Sequence, residues 1–234
     1  MNTDNSHNKN YALVLSGGCG SRTGGDIPKQ YVSAAGKMMI SRTIGALRQS
    51  GLISGIFVVA GEQWRDAILK ENPDICGFAD PGENRQLSIL NGLLAMENQC
   101  CEDSIVLVQD AARPFTSLPL INACITACRG HDGAMPVLPM KDTVYLSEDG
   151  KTVSSLIDRE KIYAGQAPEA FVFDKYLKAC KALLPDKILG IKGSTEPAIM
   201  AGMDIAMITG EESNFKVTTP EDLKRYESIC THGY

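Results

Sequence analysis

The sequence predicts a single α/β domain over residues 11–232, with a mainly parallel, twisted sheet and helices on both faces. Short apolar runs alternate with longer amphipathic stretches, and the runs are apolar at every position, as in strands buried on both sides. A chain of 234 residues, 44% hydrophobic and 22% charged, also has enough apolar material for one large core. No internal repeat, low-complexity tract or linker divides it. Residues 1–10 are polar and read as a disordered N-terminal segment.

Tyr11 to Leu15 is the first strand, closed by Gly17-Gly18. Helical spacing follows in Ile40, Ile44 and Leu47, then a strand at 56–60 and a helix at 62–71. Residues 75–79 form a short strand ended by Asp80-Pro81-Gly82. From Asn84 to Met96, Leu87, Leu90 and Leu94 share a helical face. Ile105 to Val108 is a central strand that carries Gln109-Asp110 at its carboxyl end. A helix at 118–128 and a strand at 133–138 continue the alternation. Residues 143–158 break it: two β-type segments flank Glu148-Asp-Gly-Lys151, a hairpin signal, and read as an inserted β-arm. Helix returns at 173–184 and after Thr195, with a strand at 204–208. The closing helix has Thr219 as N-cap, Pro220 at its first position and Asp222 three residues after the cap.

A net charge of −5 argues against a protein that coats nucleic acid or an anionic membrane, so any phosphate binding rests on a few placed cations. The longest apolar runs are too short to span a bilayer, and residues 1–10 lack the layout of a secretory signal. The eight cysteines are scattered and read as free thiols of a cytoplasmic protein. Cys124 and Cys128 have no second pair at zinc-ligand spacing, so no structural zinc site is expected.

The glycine-rich turn after the first strand carries the most chemistry. Gly17, Gly18, Gly20 and Gly24 let backbone N–H groups approach an anion closely. No Gly-Lys-Ser/Thr closes the turn as in a P-loop, and Thr23 stands where a dinucleotide fingerprint needs its third glycine. Arg22 lies within the turn and Lys29 follows Pro28. A guanidinium fork suits terminal phosphates, and a compact ammonium suits a phosphorus undergoing substitution. On this segment alone, a turn bearing two solvated cations remains open.

Gly17-Gly-Cys-Gly-Ser-Arg22 with Pro28-Lys29-Gln30 resembles the sugar-nucleotidyltransferase signature, in the variant of cytidylyltransferases that act on sugar-alcohol phosphates. Two families share it, the 2-C-methyl-D-erythritol 4-phosphate and the ribitol-5-phosphate cytidylyltransferases. Four further segments are similar and in family order: Pro81 to Ser88, Asp110-Ala-Ala-Arg-Pro114, Lys141-Asp-Thr143 with Asp158-Arg159, and Asn214 to Leu223. Together the motifs span about Ala12 to Leu223.

The resemblance implies a Rossmann-like nucleotidyltransferase domain that transfers CMP from CTP to a polyol phosphate, with Mg²⁺, as a homodimer joined through the β-arm. It implies that Lys29 and Lys216 flank the α-phosphate, and that Arg22 holds the triphosphate with Ser16, Gly17, Gly18 and Gly20. Gly82, Glu83 and Ser88 match positions that read cytosine and ribose, with Glu83 in place of a frequent Asp. Asp110 is suited to Mg²⁺ or the ribose, and Arg113 supports the acceptor site. Thr143 and Arg159 would cross to the partner's acceptor site. On local evidence, Lys216 as a strand-end lysine, Asp110 and Arg113 as a paired turn, and the arm as an ordinary exposed hairpin stay open.

Two departures lie on the acceptor side. Ala167-Pro168-Glu169 stands for the usual Thr-Pro-Gln, losing a hydroxyl and adding a carboxylate that would repel phosphate. Ser194-Thr195-Glu196-Pro197 stands for Thr-Asp-Glu or Thr-Asp-Ala, without the aspartate. Gly17-Gly18 and Tyr163 to Gln166 look slightly nearer the ribitol branch. The rival readings are a nucleotidyltransferase for a sugar 1-phosphate with another nucleotide, and a catalytically silent nucleotide-binding relative.

Overall fold

A computed structural model describes residues 9–18 and 27–233; the expectations for Gly20, Arg22 and residues 1–8 lie outside these. Strand β1 (Asn10–Leu15) is buried on both faces, with Tyr11 and Leu13 in one apolar layer and Ala12 and Val14 in the other. That two-sided burial is why the run is apolar throughout. Asn10, expected in the disordered segment, opens this strand instead. It is buried, its Nδ2 donating to the Leu52 carbonyl (2.9 Å) and its Oδ1 accepting from the Ile105 N–H (3.3 Å).

A two-stranded hairpin, β2 (Ser33–Ala34) and β3 (Lys37–Met38), precedes α1 (Met39–Arg48). It turns through Ala35 and Gly36, both at positive φ. Then come β4 (Ile53–Val59), α2 (Glu62–Glu71), β5 (Gly77–Ala79), α3 (Arg85–Met96), β6 (Ile105–Asp110), α4 (Leu118–Cys128) and β7 (Gly133–Pro139). The arm is β8 (Val144–Leu146) paired antiparallel with β9 (Ser155–Ile157). The chain closes with β10 (Tyr163–Gly165), β11 (Glu169–Val172), α5 (Phe173–Lys181), α6 (Glu196–Met200), β12 (Ile205–Thr209) and α7 (Pro220–His232).

Among the described residues the main sheet has eight strands. β6-β1-β4-β5 form its parallel half, with Leu15 in register with Asp110 on one side and Val59 on the other. β11 runs antiparallel between β6 and β7, β10 pairs antiparallel with the far end of β7, and β12 joins β7 in parallel. Ile40, Ile44, Ile68, Ile121 and Ile125 from α1, α2 and α4 cover one face. Ile89, Leu93, Tyr176 and Leu177 from α3 and α5 cover the other. The expected fold class therefore holds.

Some elements differ from the sequence reading. β10 and β11 were not anticipated. On α3 the buried face runs through Ile89, Leu90, Leu93 and Met96, while Leu94 is exposed. The arm's strands are joined not by a two-residue Asp-Gly turn but by residues 147–154. There the Asp149 carboxylate accepts from the Lys151 and Thr152 N–H groups (2.8 Å each), and Gly150 takes positive φ. The cap of α7 is as expected: the Thr219 hydroxyl and the Asp222 carboxylate each accept from the other's backbone N–H. Tyr226 of this helix packs with Met39, Ala112 and Val217, pinning residues 214–217 against the end of β6.

Candidate active site

The carboxyl ends of β1 and β6 open into two adjoining cavities, the position where open α/β sheets place ligands. The first, about 240 Å³, is lined by the β1 turn, the 82–88 segment, Asp110, Lys29 and Lys216. The two lysines expected to act on one phosphorus, far apart in sequence, thus face one cavity.

The turn is held from behind. Gln30 Nε2 donates to the carbonyls of Ser16 (2.8 Å) and Gly18 (2.6 Å), and the Tyr31 hydroxyl donates to Ser16 O (2.9 Å) while its ring stacks on Trp64 at 4.1 Å. Ser16 spends its hydroxyl (2.8 Å) and its N–H (2.9 Å) inward on the Val59 carbonyl, so it shapes the turn and keeps no donor for a ligand. Gly17 is required by packing, since a Cβ there would lie 2.6 Å from Pro81 Cβ. Gly18 borders open space. Gly82 presses on α3, where a Cβ would come within 2.3 Å of Leu87 Cβ. Its N–H donates to Ser88 Oγ (3.0 Å), whose own proton goes to Asn84 O (2.9 Å). Ser88 therefore fixes Gly82 and the helix start, and Glu83 stands exposed at the rim.

Asp110 is the hub. It is buried, and its carboxylate meets Arg85 Nη2 at 3.1 Å, Lys216 Nζ at 3.0 Å and Arg113 Nε at 3.6 Å. Burial alone would raise its pKa, but the charges of Arg85, Lys216 and Arg113 overcome that and hold it below the usual carboxylate range. Arg113 also donates to the Asn214 carbonyl (2.6 Å). Asn214, fully buried, receives the Thr116 hydroxyl proton (2.8 Å) and donates to Ala167 O (2.8 Å). The Asp110–Arg113 turn pair exists and at the same time locks the Lys216 segment in place. Lys216 belongs to no strand.

The second cavity, about 480 Å³, is lined by Arg85, Asp110, Arg113, Lys216, Gln166, Ala167, Glu169 and residues 192–196. Arg85, Asp110 and Lys216 line both cavities. Glu169 does not stand open to repel a ligand as expected. It is buried, its oxygens accept from the hydroxyls of Thr195 (2.8 Å) and Ser194, and Arg85 Nη2 lies 3.8 Å away. Burial pushes its pKa up, against the pull of Arg85 and the two hydroxyls.

Thr143 and Arg159 line neither cavity; both are exposed on the arm, where Arg159 Nη1 donates to Lys141 O (2.8 Å). Three residues of the site escaped the sequence reading: Arg85, inside the 81–88 segment, Gln30, beside Lys29, and Asn214, which opens the last motif. Among the described residues no cluster of three His, Cys, Asp or Glu side chains could hold a metal, and no helix is long and apolar enough to cross a membrane. Cys76, Cys100, Cys124, Cys128, Cys180 and Cys230 are free thiols.

A glycine turn at the end of the first strand of an open sheet, with Lys29 and Lys216 facing one cavity and Arg85, Arg113 and Lys216 around one buried aspartate, fits a phosphate-handling nucleotidyltransferase. A family model for 2-C-methyl-D-erythritol 4-phosphate cytidylyltransferase matches residues 11–232, and the chain belongs to that family. The protein of that name from Geobacter metallireducens is 32% identical, covering 94% of this chain and 96% of its own. The one from Neorickettsia sennetsu is 36% identical, covering 95% and 97%. A solved structure from Anaerococcus prevotii, titled 4-diphosphocytidyl-2C-methyl-D-erythritol synthase, shares the fold with a TM-score of 0.81 at 23% identity, over 96% of this chain and 97% of its own.

Proposed function

We propose that the chain transfers the cytidylyl group of CTP to the phosphate of 2-C-methyl-D-erythritol 4-phosphate and releases pyrophosphate. The observation that carries this reading is the wall common to both cavities. Transfer needs a nucleotide α-phosphate and an acceptor phosphate side by side, and Arg85, Asp110 and Lys216 stand where the two cavities meet. The relatives at 32% and 36% identity carry the methylerythritol name, which favours that acceptor over ribitol 5-phosphate.

An acceptor phosphate oxygen attacks the α-phosphorus, forming a new P–O bond as the bond to the β-phosphate oxygen breaks. Negative charge gathers on the α-phosphate oxygens, and fixed cations stabilise it without reorganising. Lys29 and Lys216 supply those cations from opposite ends of the sequence. Asp110 keeps the Lys216 and Arg85 charges aimed and separated, and the backbone at Gly17–Gly18 borders the triphosphate. Arg113 acts through Asp110 and Asn214, as a support to the site.

Magnesium suits this donor set only as a companion of the nucleotide. It takes hard oxygen ligands, often one or two carboxylates beside substrate phosphates, and among the described residues Asp110 and Glu83 are the carboxylates lining the first cavity. Both Asp110 oxygens already face cations, so the triphosphate would supply most of the ligands. When bound, the ion would neutralise charge on the phosphate oxygens.

The arm supports a homodimer. Tyr145, Leu146, Val153 and Leu156 are large apolar side chains left exposed along it. Thr143 and Arg159, outside both cavities of their own chain, would then serve the partner's acceptor site. A cytoplasmic, reducing setting agrees with the free thiols.

The test is pyrophosphate release with CTP and Mg²⁺ and each polyol phosphate in turn. Release with 2-C-methyl-D-erythritol 4-phosphate well above that with ribitol 5-phosphate is expected. CTP, unlike UTP, GTP or dTTP, should also raise the melting temperature strongly. No release with the methylerythritol substrate would overturn the reading, and so would a faster rate with ribitol 5-phosphate.

A further inference from the structure

We infer that Glu169 is a positioning residue for the acceptor cavity, and that Glu169 and Thr195 form one compensated pair of residues. The inference rests on the proposed activity, since it assigns the second cavity to the polyol phosphate.

Glu169 opens β11 in register with Val108, two residues before Asp110 on the neighbouring strand. The two carboxylates thus flank Arg85, whose Nη2 lies 3.1 Å from Asp110 Oδ1 and 3.8 Å from Glu169 Oε2. A guanidinium between two anions is held in one orientation, because swinging toward either loses the other. On its far side Glu169 accepts the Thr195 hydroxyl proton at 2.8 Å and that of Ser194. Ser194 is anchored again through its carbonyl, which accepts from the buried Tyr176 hydroxyl at 2.6 Å. Segment 192–196 is closed on itself by the Glu196 carboxylate, which accepts from the N–H groups of Lys192 (2.8 Å) and Gly193 (3.3 Å). One buried carboxylate therefore ties a cation shared by both cavities to the turn that walls the acceptor side.

The residue types at 169 and 195 depend on each other. Aspartate at 195, where the resembling pattern has it, would set a second carboxylate against Glu169 with no water between, and one of the two would have to take up a proton. Glutamine at 169 with threonine at 195 would leave Arg85 only Asp110. The contact between positions 169 and 195 takes one carboxylate, and here it sits on the strand with the neutral partner on the turn. The two departures that looked separate in the sequence are thus a single exchange across a hydrogen bond.

The experiment compares wild type, Glu169→Gln, Thr195→Asp and the double variant in steady-state assays, varying CTP and 2-C-methyl-D-erythritol 4-phosphate separately. Each single change is expected to raise KM for the polyol phosphate about tenfold or more while KM for CTP stays within about twofold. The double variant should return the acceptor KM to within about threefold of wild type, a coupling that independent sites do not show. Should Thr195→Asp fail to fold, Thr195→Val replaces it: it raises the acceptor KM about fivefold in wild type but less than about twofold on the Glu169→Gln background. Multiplicative effects in either cycle, or an equal rise in KM for CTP, would overturn the inference. A wild type without pyrophosphate release would instead defeat the proposed activity, so the two failures are told apart.

Discussion

The first cavity takes its shape from backbone, and the second from side chains brought together over long stretches of chain. In the first, the 16–18 turn and the Gly82 loop pack glycine against proline and glycine against a helix start, with Gln30 and Ser88 as local braces. In the second, Glu169, Ser194, Thr195 and Arg85 arrive from β11, the 192–196 segment and α3. Backbone cavities tolerate exchange of most neighbouring side chains but not of the glycines. In the second cavity the Glu169–Thr195 hydrogen bond couples side chains of two separate segments, so a change at one is felt at the other. A binding surface for a fixed ligand part is well served by the first kind, and one that varies between acceptors by the second.

Lys216 stands at the junction of the two cavities and Lys29 faces it from the first, so removing either gives the largest effect. Lys216→Ala and Lys29→Ala are each expected to lower kcat about 10²–10³-fold, with melting temperature little changed. If turnover stayed within a few-fold of wild type, or only a KM moved, the shared wall would not be the reaction centre. Arg113→Ala should produce a smaller loss, because Arg113 lines the second cavity alone and bears on Lys216 through Asp110 and Asn214.

What was readable in the sequence follows the same division. The β1 turn, Asp110 and the Thr219 cap are each written within a few residues, because a buried strand, a glycine turn and a capping box are local devices. Lys29 and Lys216 could be matched only by motif, since no spacing rule relates opposite ends of a chain. β11 went unread because four residues, Glu-Ala-Phe-Val, pass for the entry to the following helix and only pairing with β6 makes them a strand. Arg85 lies within the 81–88 segment, but at the first position of α3 it reads as a surface cation until Asp110 and Glu169 are seen around it. Glu169 was misjudged as repulsive for the same reason: its partners lie far away in sequence.

A second way to sharpen the contrast uses acid. Because the folded state depresses the Asp110 pKa, the native protein binds fewer protons there than the unfolded chain does once pH nears the ordinary aspartate value of about 4. The associated stability is present above that value and is lost as pH falls toward the depressed one. Urea unfolding at pH 7 and at pH 3.0 should therefore show wild type losing about 1 kcal/mol more than Asp110→Asn does over the same interval. Equal losses would mean that the three cations do not hold the carboxylate as the geometry indicates. The comparison of slopes is unaffected by the lower starting stability of the variant, whose three cations lack their anion.

The smallest effect isolates the backbone cavity. Ser88→Ala removes the acceptor of the Gly82 N–H and the donor to Asn84 O while leaving every charged group in place. Its cost is that of a brace of ordinary hydrogen bonds, about 1 kcal/mol, so KM for CTP should rise about fivefold. KM for the polyol phosphate should not move, since Ser88 lines the first cavity and not the second. Set beside the Glu169 and Thr195 variants, which are expected to move the acceptor KM alone, this makes a reciprocal pair of measurements. If Ser88→Ala shifted both constants equally, the two cavities would be one mechanical unit, and the division between a backbone half and a side-chain half would have no kinetic meaning.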